Sequence, residues 1–193
     1  MENENKITGK QMWKLFKIQN KFFKELYLML EELDEIDFEG FDYYLKGIKQ
    51  EKDVLNVSGK FDKDSSEIWV ADRLQFSYKK NKERIGINLI FRDTEGVNLF
   101  DEPMIVYSFY KLKEEGASDE WDNIFIISAL NRKNKFIVNS IISLSGLIFE
   151  NGNSKKLTIS KGYLKAGRLF DIKNKKDIQS LAEDIKSWIK DSS

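Results

Sequence analysis

The spacing of apolar residues in this chain changes twice, and that change limits the folds open to it. Over residues 8–35, Met12, Leu15, Phe16, Phe22, Phe23, Leu26, Met29, Leu30 and Leu33 recur at helical spacing, with Gln19 the one polar interruption. Thr8 followed three positions later by Gln11 is a capping-box pattern for the start of that helix. From residue 54 the period shifts toward two. Strands are predicted at Val54–Phe61, Ile68–Tyr78, Ile85–Phe91, Met104–Leu112 and Asn123–Leu130. Phe136–Phe149 is read as a strand for its β-branched content, and Leu157–Ser160 and Tyr163–Ile172 as the last two candidates. Residues 36–53, with Gly40 and Gly47, read as a connection. Helical spacing returns at Ile178, Leu181, Ala182, Ile185 and Ile189, with Asn174 as the cap of a helix through Lys190.

The order is therefore helix, about seven strands, helix. Short polar turns, such as the one at KNKE before Ile85, favour antiparallel pairing. The expected fold is α+β: a long N-terminal helix and a C-terminal helix packed on a mainly antiparallel sheet of about seven strands. No Pro- or Gly-rich linker interrupts the chain, so residues 1–193 are expected to form a single globular domain, with 1–7 as a disordered tail. The chain is 41% hydrophobic and 13% aromatic, enough apolar mass for a core and against overall disorder.

Histidine and cysteine are both absent. That removes Ser-His-Asp triads, Cys-His pairs, zinc held by His or Cys, and disulfides. Carboxylates, Lys, Ser, Thr and Tyr remain for any chemistry. The sequence has neither G-x-G-x-x-G nor G-x-x-x-x-G-K-[ST], so those phosphate-cradling loops are unsupported. Asp62-Lys-Asp64 opens like a calcium loop, but Glu67 stands where Gly is required and Arg73 where a bidentate Glu is required. Ser-x-x-Lys occurs at Ser77/Lys80, Ser108/Lys111 and Ser187/Lys190. With 16 Ser and 27 Lys, about two such matches arise by chance. Glu25, Glu31, Asp72 and Glu83 could serve a magnesium-dependent nuclease, but the acid-x-Lys motif such a site would use is not visible on a good strand. No cofactor or metal ligand set is assigned.

The N-terminus, MENEN, lacks the basic and apolar regions of a secretory signal. The most apolar run, Phe136–Phe149, is too short and polar to span a bilayer. A cytoplasmic protein without a membrane partner is expected. Lys, Ile and Asn supply 62 residues and Arg only five, a bias of AT-rich genomes that points to a bacterial or phage source.

Charge is balanced in total, 32 basic against 32 acidic residues, but not along the chain. Lys10, Lys14, Lys17, Lys21 and Lys24 are spaced 4, 3, 4 and 3, which makes one stripe on the first helix opposite its apolar side. From Glu25 to Asp42 there are eight acids and no base. Both blocks oppose the helix dipole, which favours acids at the start and bases at the end. Residues 93–122 carry nine acids against Lys111 and Lys113, and place Trp121 among Asp119, Glu120 and Asp122. Residues 131–176 carry eleven bases against Glu150 and Asp171. Such blocks either cancel in the fold or present faces that steer charged partners.

The reading that follows is a non-enzymatic protein-binding module, an inhibitor or immunity-type protein that masks a macromolecular partner. The expected contacts are Asp119, Glu120, Trp121 and Asp122, which would meet a basic site on another protein, and the five lysines of the stripe. The first alternative is a nonspecific nucleic-acid-binding protein that uses the Lys stripe and the basic C-terminal half, since phosphate contact needs only positive charge. The second is the carboxylate nuclease above. Oligomeric state is left open.

Overall fold

A computed structural model describes residues 9–43, 73–90, 102–114, 122–133, 135–150 and 156–192. The chain divides into two units, Met1–Ile36 and Asp37–Ser193. The first is the helix α1, Gly9–Asp34. Its ladder continues one step further, the Glu35 amide donating to the Glu31 carbonyl at 3.1 Å, before a tighter bond from Ile36 to Leu33 closes it. Leu26, Leu30 and Leu33 are buried, as their helical spacing predicts.

The second unit is a sheet with a helix on each face. Its strands are β1 (Asp42–Tyr43), β2 (Arg73–Lys80), β3 (Glu83–Ile90), β4 (Met104–Leu112), β5 (Ile141–Ser143), β6 (Ile148–Glu150) and β7 (Lys156–Arg168). Its helices are α2 (Asp122–Asn131) and α3 (Lys175–Ser192), with a single 3₁₀ turn at Leu169–Asp171 after β7. Among the described residues, six strands follow one another in the order β1-β2-β3-β4-β7-β5, and β6 pairs with β7 off that path. Every pairing is antiparallel. The α+β class is therefore as expected, but the continuous path is six strands long rather than about seven.

Strand alternation sorts the core into two layers. Register places Phe76 beside Ile87, Ile87 beside Tyr107 and Tyr107 beside Lys165. That face also carries buried Tyr78, Ile85, Leu89, Ile105 and Phe109. Phe38 meets Tyr78 edge-on at 5.0 Å. α3 lies against this face through Trp188, stacked on Tyr107 at 5.6 Å and 15°. The other face presents Ile90, Met104, Val106, Leu164 and Ala166 to Ile126, Ile127 and Leu130 of α2, with Leu144, Leu147 and Phe149 completing the cluster. Each buried aliphatic side chain contributes about 1.5–3 kcal/mol relative to exposure, so both layers matter to stability.

The structure corrects several expectations. Asn123–Leu130 is not a strand but most of α2. Its run NIFIISAL is apolar on all sides, and a buried helix and a buried strand look alike in such a run. Phe136–Phe149 is not one strand. It holds the two three-residue strands β5 and β6, separated by a turn whose Gly146 has φ of 75°, a conformation glycine adopts without strain. Leu157–Ser160 and Tyr163–Ile172 are not separate strands either: β7 runs unbroken through 13 residues and ends at Arg168. Between the two expected segments, Gly162 makes a close approach to β4. A Cβ there would lie 2.6 Å from the Tyr110 Cβ and 2.7 Å from the Phe109 carbonyl oxygen, so only glycine fits. α1 begins one residue later and ends one earlier than expected, and α3 extends to Ser192. Met104–Leu112 matches its expected bounds. The predicted strand Val54–Phe61, the start of Ile68–Tyr78 and the tail 1–7 lie outside the described residues.

Candidate functional site

The lysine stripe is present as a surface. Lys10, Lys14, Lys17, Lys21 and Lys24 are all exposed on α1. At about 100° per residue they occupy about 80° of arc, opposite Leu26, Leu30 and Leu33. Lys21 reaches Glu25 one turn on at 3.7 Å, and the Lys17 ammonium sits 5.7 Å from the centre of the Trp13 ring. An exposed pair of that kind holds its partners only weakly, so the stripe keeps its positive field. Beyond Lys24 the same arc continues through Leu28 to Glu31, Glu32 and Glu35, so one face of the helix is basic in its first half and acidic in its last.

Three large apolar residues flank or interrupt this stripe in water: Trp13 is 63% exposed, Ile18 58% and Leu28 52%. They did not enter the set of predicted site residues. The signal was available, because all three fall outside the apolar set at core spacing on α1.

The second predicted cluster is placed only at its end. Asp119, Glu120 and Trp121 lie outside the described residues, and Asp122 is the first residue of α2.

A polar cluster that sequence reasoning missed joins α3 to the sheet. The Tyr107 hydroxyl donates to Asp184 Oδ2 at 2.7 Å, and the Lys165 ammonium reaches the same oxygen at 3.0 Å. Lys165 also lies 5.8 Å from the Tyr107 ring centre, and Trp188 covers the ring from the side of α3. Burial first, then the hydrogen bond to Asp184 and its negative charge, push the Tyr107 hydroxyl well above the usual tyrosine range. The phenol therefore stays protonated as a donor, and Asp184 is held between a donor and a cation. These groups satisfy one another and fasten α3 to β4 and β7. No local pattern announces them, because Tyr107, Lys165 and Asp184 meet only once register and helix docking are set.

Polar groups on the opposite face of the sheet are also buried: Arg84, Asn88 and Ser108. The Arg84 guanidinium donates through Nη1 to the carbonyls of Asn81 at 2.6 Å and Glu83 at 2.8 Å, which ties down the β2–β3 turn. Glu83 is paired with Lys111 at 3.2 Å, and Asp72 lies outside the described residues. Among the described residues no group of three acidic side chains converges to hold a metal ion, and no helix is long and apolar enough to cross a membrane. No protein-family model, curated protein or solved structure matches the chain.

Proposed function

We propose that this protein is a non-enzymatic protein-binding module of the inhibitor or immunity type, cytoplasmic and of bacterial or phage origin, and that α1 is its main docking element. The observation that carries this reading is the outer face of α1, where Trp13, Ile18 and Leu28 stand in water beside five exposed lysines. Large apolar residues rimmed by charge on one element mark interaction surfaces, and Trp is enriched among binding hot spots. The acidic group Asp119, Glu120, Trp121 and Asp122 is a second proposed contact, suited to a basic site on the partner.

The exposure of all five lysines also favours a second reading, nonspecific contact with nucleic acid phosphates. One capture experiment separates the two. Tagged wild-type protein and a Trp13→Ala/Ile18→Ala variant are used to recover partners from lysate of the source cell, with and without nuclease. A protein retained after nuclease by the wild type and lost by the variant supports the module. Recovery of nucleic acid alone, equally by both, overturns it in favour of phosphate binding.

A further inference from the structure

The outer face of α1 is complementary to itself. Lys14, Lys17 and Lys24 in its basic half and Glu25, Glu32 and Glu35 in its acidic half fall within about 100° of arc, on the side away from Leu30 and Leu33. A second helix laid antiparallel, with its Glu25 facing Lys24, also sets its Glu32 against Lys17 and its Glu35 against Lys14. One register therefore matches three charge pairs, and two-fold symmetry repeats them to give six. The same register lays the aliphatic stem of Lys21 over the exposed Leu28 of the other copy, covering an apolar side chain that the single chain leaves in water. A parallel arrangement in register would instead put lysine on lysine and glutamate on glutamate. From this complementarity we infer that the occupant of the α1 face is a second copy of this chain, docked antiparallel through α1 to form a two-fold dimer. The inference rests on reading α1 as the docking element and goes further by naming what docks.

Charge on this face then has a role that the helix itself does not supply. The reversed order of bases and acids opposes the helix dipole in each copy, but between antiparallel copies it brings opposite signs together on either side of the two-fold axis, at Lys14 with Glu35 and Lys17 with Glu32, while at the axis each Lys24 and each Glu25 also lies beside its own counterpart. Two-fold contacts are self-complementary by construction, each patch serving as both donor and recipient of the match. Because the three lysines, Glu25 and Glu35 are exposed and Glu32 is half-buried, the association is sensitive to salt.

Sedimentation equilibrium on the full chain tests this. The wild type is expected to show a concentration-dependent mass rising from 22.7 kDa toward twice that value. Its dissociation constant should weaken more than about tenfold between about 0.1 M and about 1 M salt, as the screening length falls from about 10 Å to about 3 Å. A Lys14→Glu/Lys17→Glu/Lys24→Glu variant and a Glu25→Lys/Glu32→Lys/Glu35→Lys variant should each remain monomeric, since every pair becomes repulsive. Mixed in equal amounts, they should form a one-to-one dimer, which also shows that both variants fold. A monomeric wild type, a monomeric mixture, or dimers that persist in each variant alone would overturn the inference. If the wild type is monomeric but α1-dependent protein capture succeeds, the docking reading stands and only the second copy is wrong. If the monomer instead shifts a mixed-sequence DNA duplex and the lysine variant does not, both readings fall to nucleic-acid binding.

Discussion

α1 and α3 are both amphipathic helices, and their charges obey opposite rules. α3 has Asp177 in its first turn and Lys190 in its last, the order the helix dipole favours. Asn174 caps it by accepting from the Lys176 amide at 2.9 Å, and Asp177 reaches back to accept from the Asn174 amide at 3.2 Å. Its apolar face, Ile178, Leu181, Ala182, Ile185 and Trp188, is buried. α1 has no acid in its first turn and no base in its last, and it leaves Trp13, Ile18 and Leu28 in water. Stability of the fold accounts for the residues chosen in α3. It does not account for those on the outer face of α1, where each misplaced end charge costs about 0.3–1 kcal/mol. A helix that departs from local rules without a packing gain carries its reason on the outside.

The comparison breaks most easily at Trp188. If α3 is held by packing, Trp188→Ala removes a ring stacked on Tyr107 and in contact with Tyr163 at 5.8 Å, and leaves a cavity between helix and sheet. The expected loss is about 3–5 kcal/mol in urea denaturation, with self-association intact wherever the variant is still folded. A loss under about 1 kcal/mol would mean that α3 is not fastened there and that the contrast with α1 is false.

Tyr107→Phe sharpens the same point on a smaller scale. It keeps the ring stack but removes the hydrogen bond to Asp184, a bond to a charged group worth about 1.5–3 kcal/mol. The pH dependence follows from the raised hydroxyl pKa. Below about pH 10 the phenol is protonated in both folded and unfolded chains, and its contribution is complete. Above that pH the unfolded chain ionises first while the folded one resists, so stability is lost as pH rises, by up to about 1.4 kcal/mol per unit from this group. The advantage of wild type over Tyr107→Phe, read from urea midpoints at about pH 8, 10 and 11, should therefore shrink only above about pH 10. A gap that stays constant across that range would show that Tyr107 titrates as an ordinary tyrosine.

What could be read from the sequence divides along the same line. α1 and α3 were legible because each buries one side, so the period of burial is written in the residues themselves. α2 was not, because a helix buried around Ile126, Ile127, Ala129 and Leu130 has no polar side to set its period. The role of Gly162 was not legible because its lack of a side chain serves a neighbour 52 residues earlier, Tyr110, and such contacts leave no local trace. The candidate surface shows the same division. The lysine stripe lies on one helix and follows from its 4, 3, 4, 3 spacing, whereas the Tyr107, Lys165 and Asp184 cluster depends on strand register and helix docking.

The smallest effect separates the dipole from the docking face. Lys10 near the start of α1 and Asp34 at its end both oppose the dipole, yet neither belongs to the six residues matched between antiparallel copies. A Lys10→Glu/Asp34→Lys double variant should therefore repair the helix without disturbing the matched pairs. Its expected gain is about 0.3–1 kcal/mol per site, seen as a raised urea midpoint and stronger helical circular dichroism. Its dimer constant should stay within about twofold of wild type, since exposed charges outside a contact act on it only through a screened field. If the double variant gains stability and still associates, the two roles are separable, and the remaining reversed charges of α1 are kept for what they meet across the interface. If it gains nothing, the dipole conflict is energetically silent in this helix, and the contrast with α3 must rest on the exposed Trp13, Ile18 and Leu28 alone.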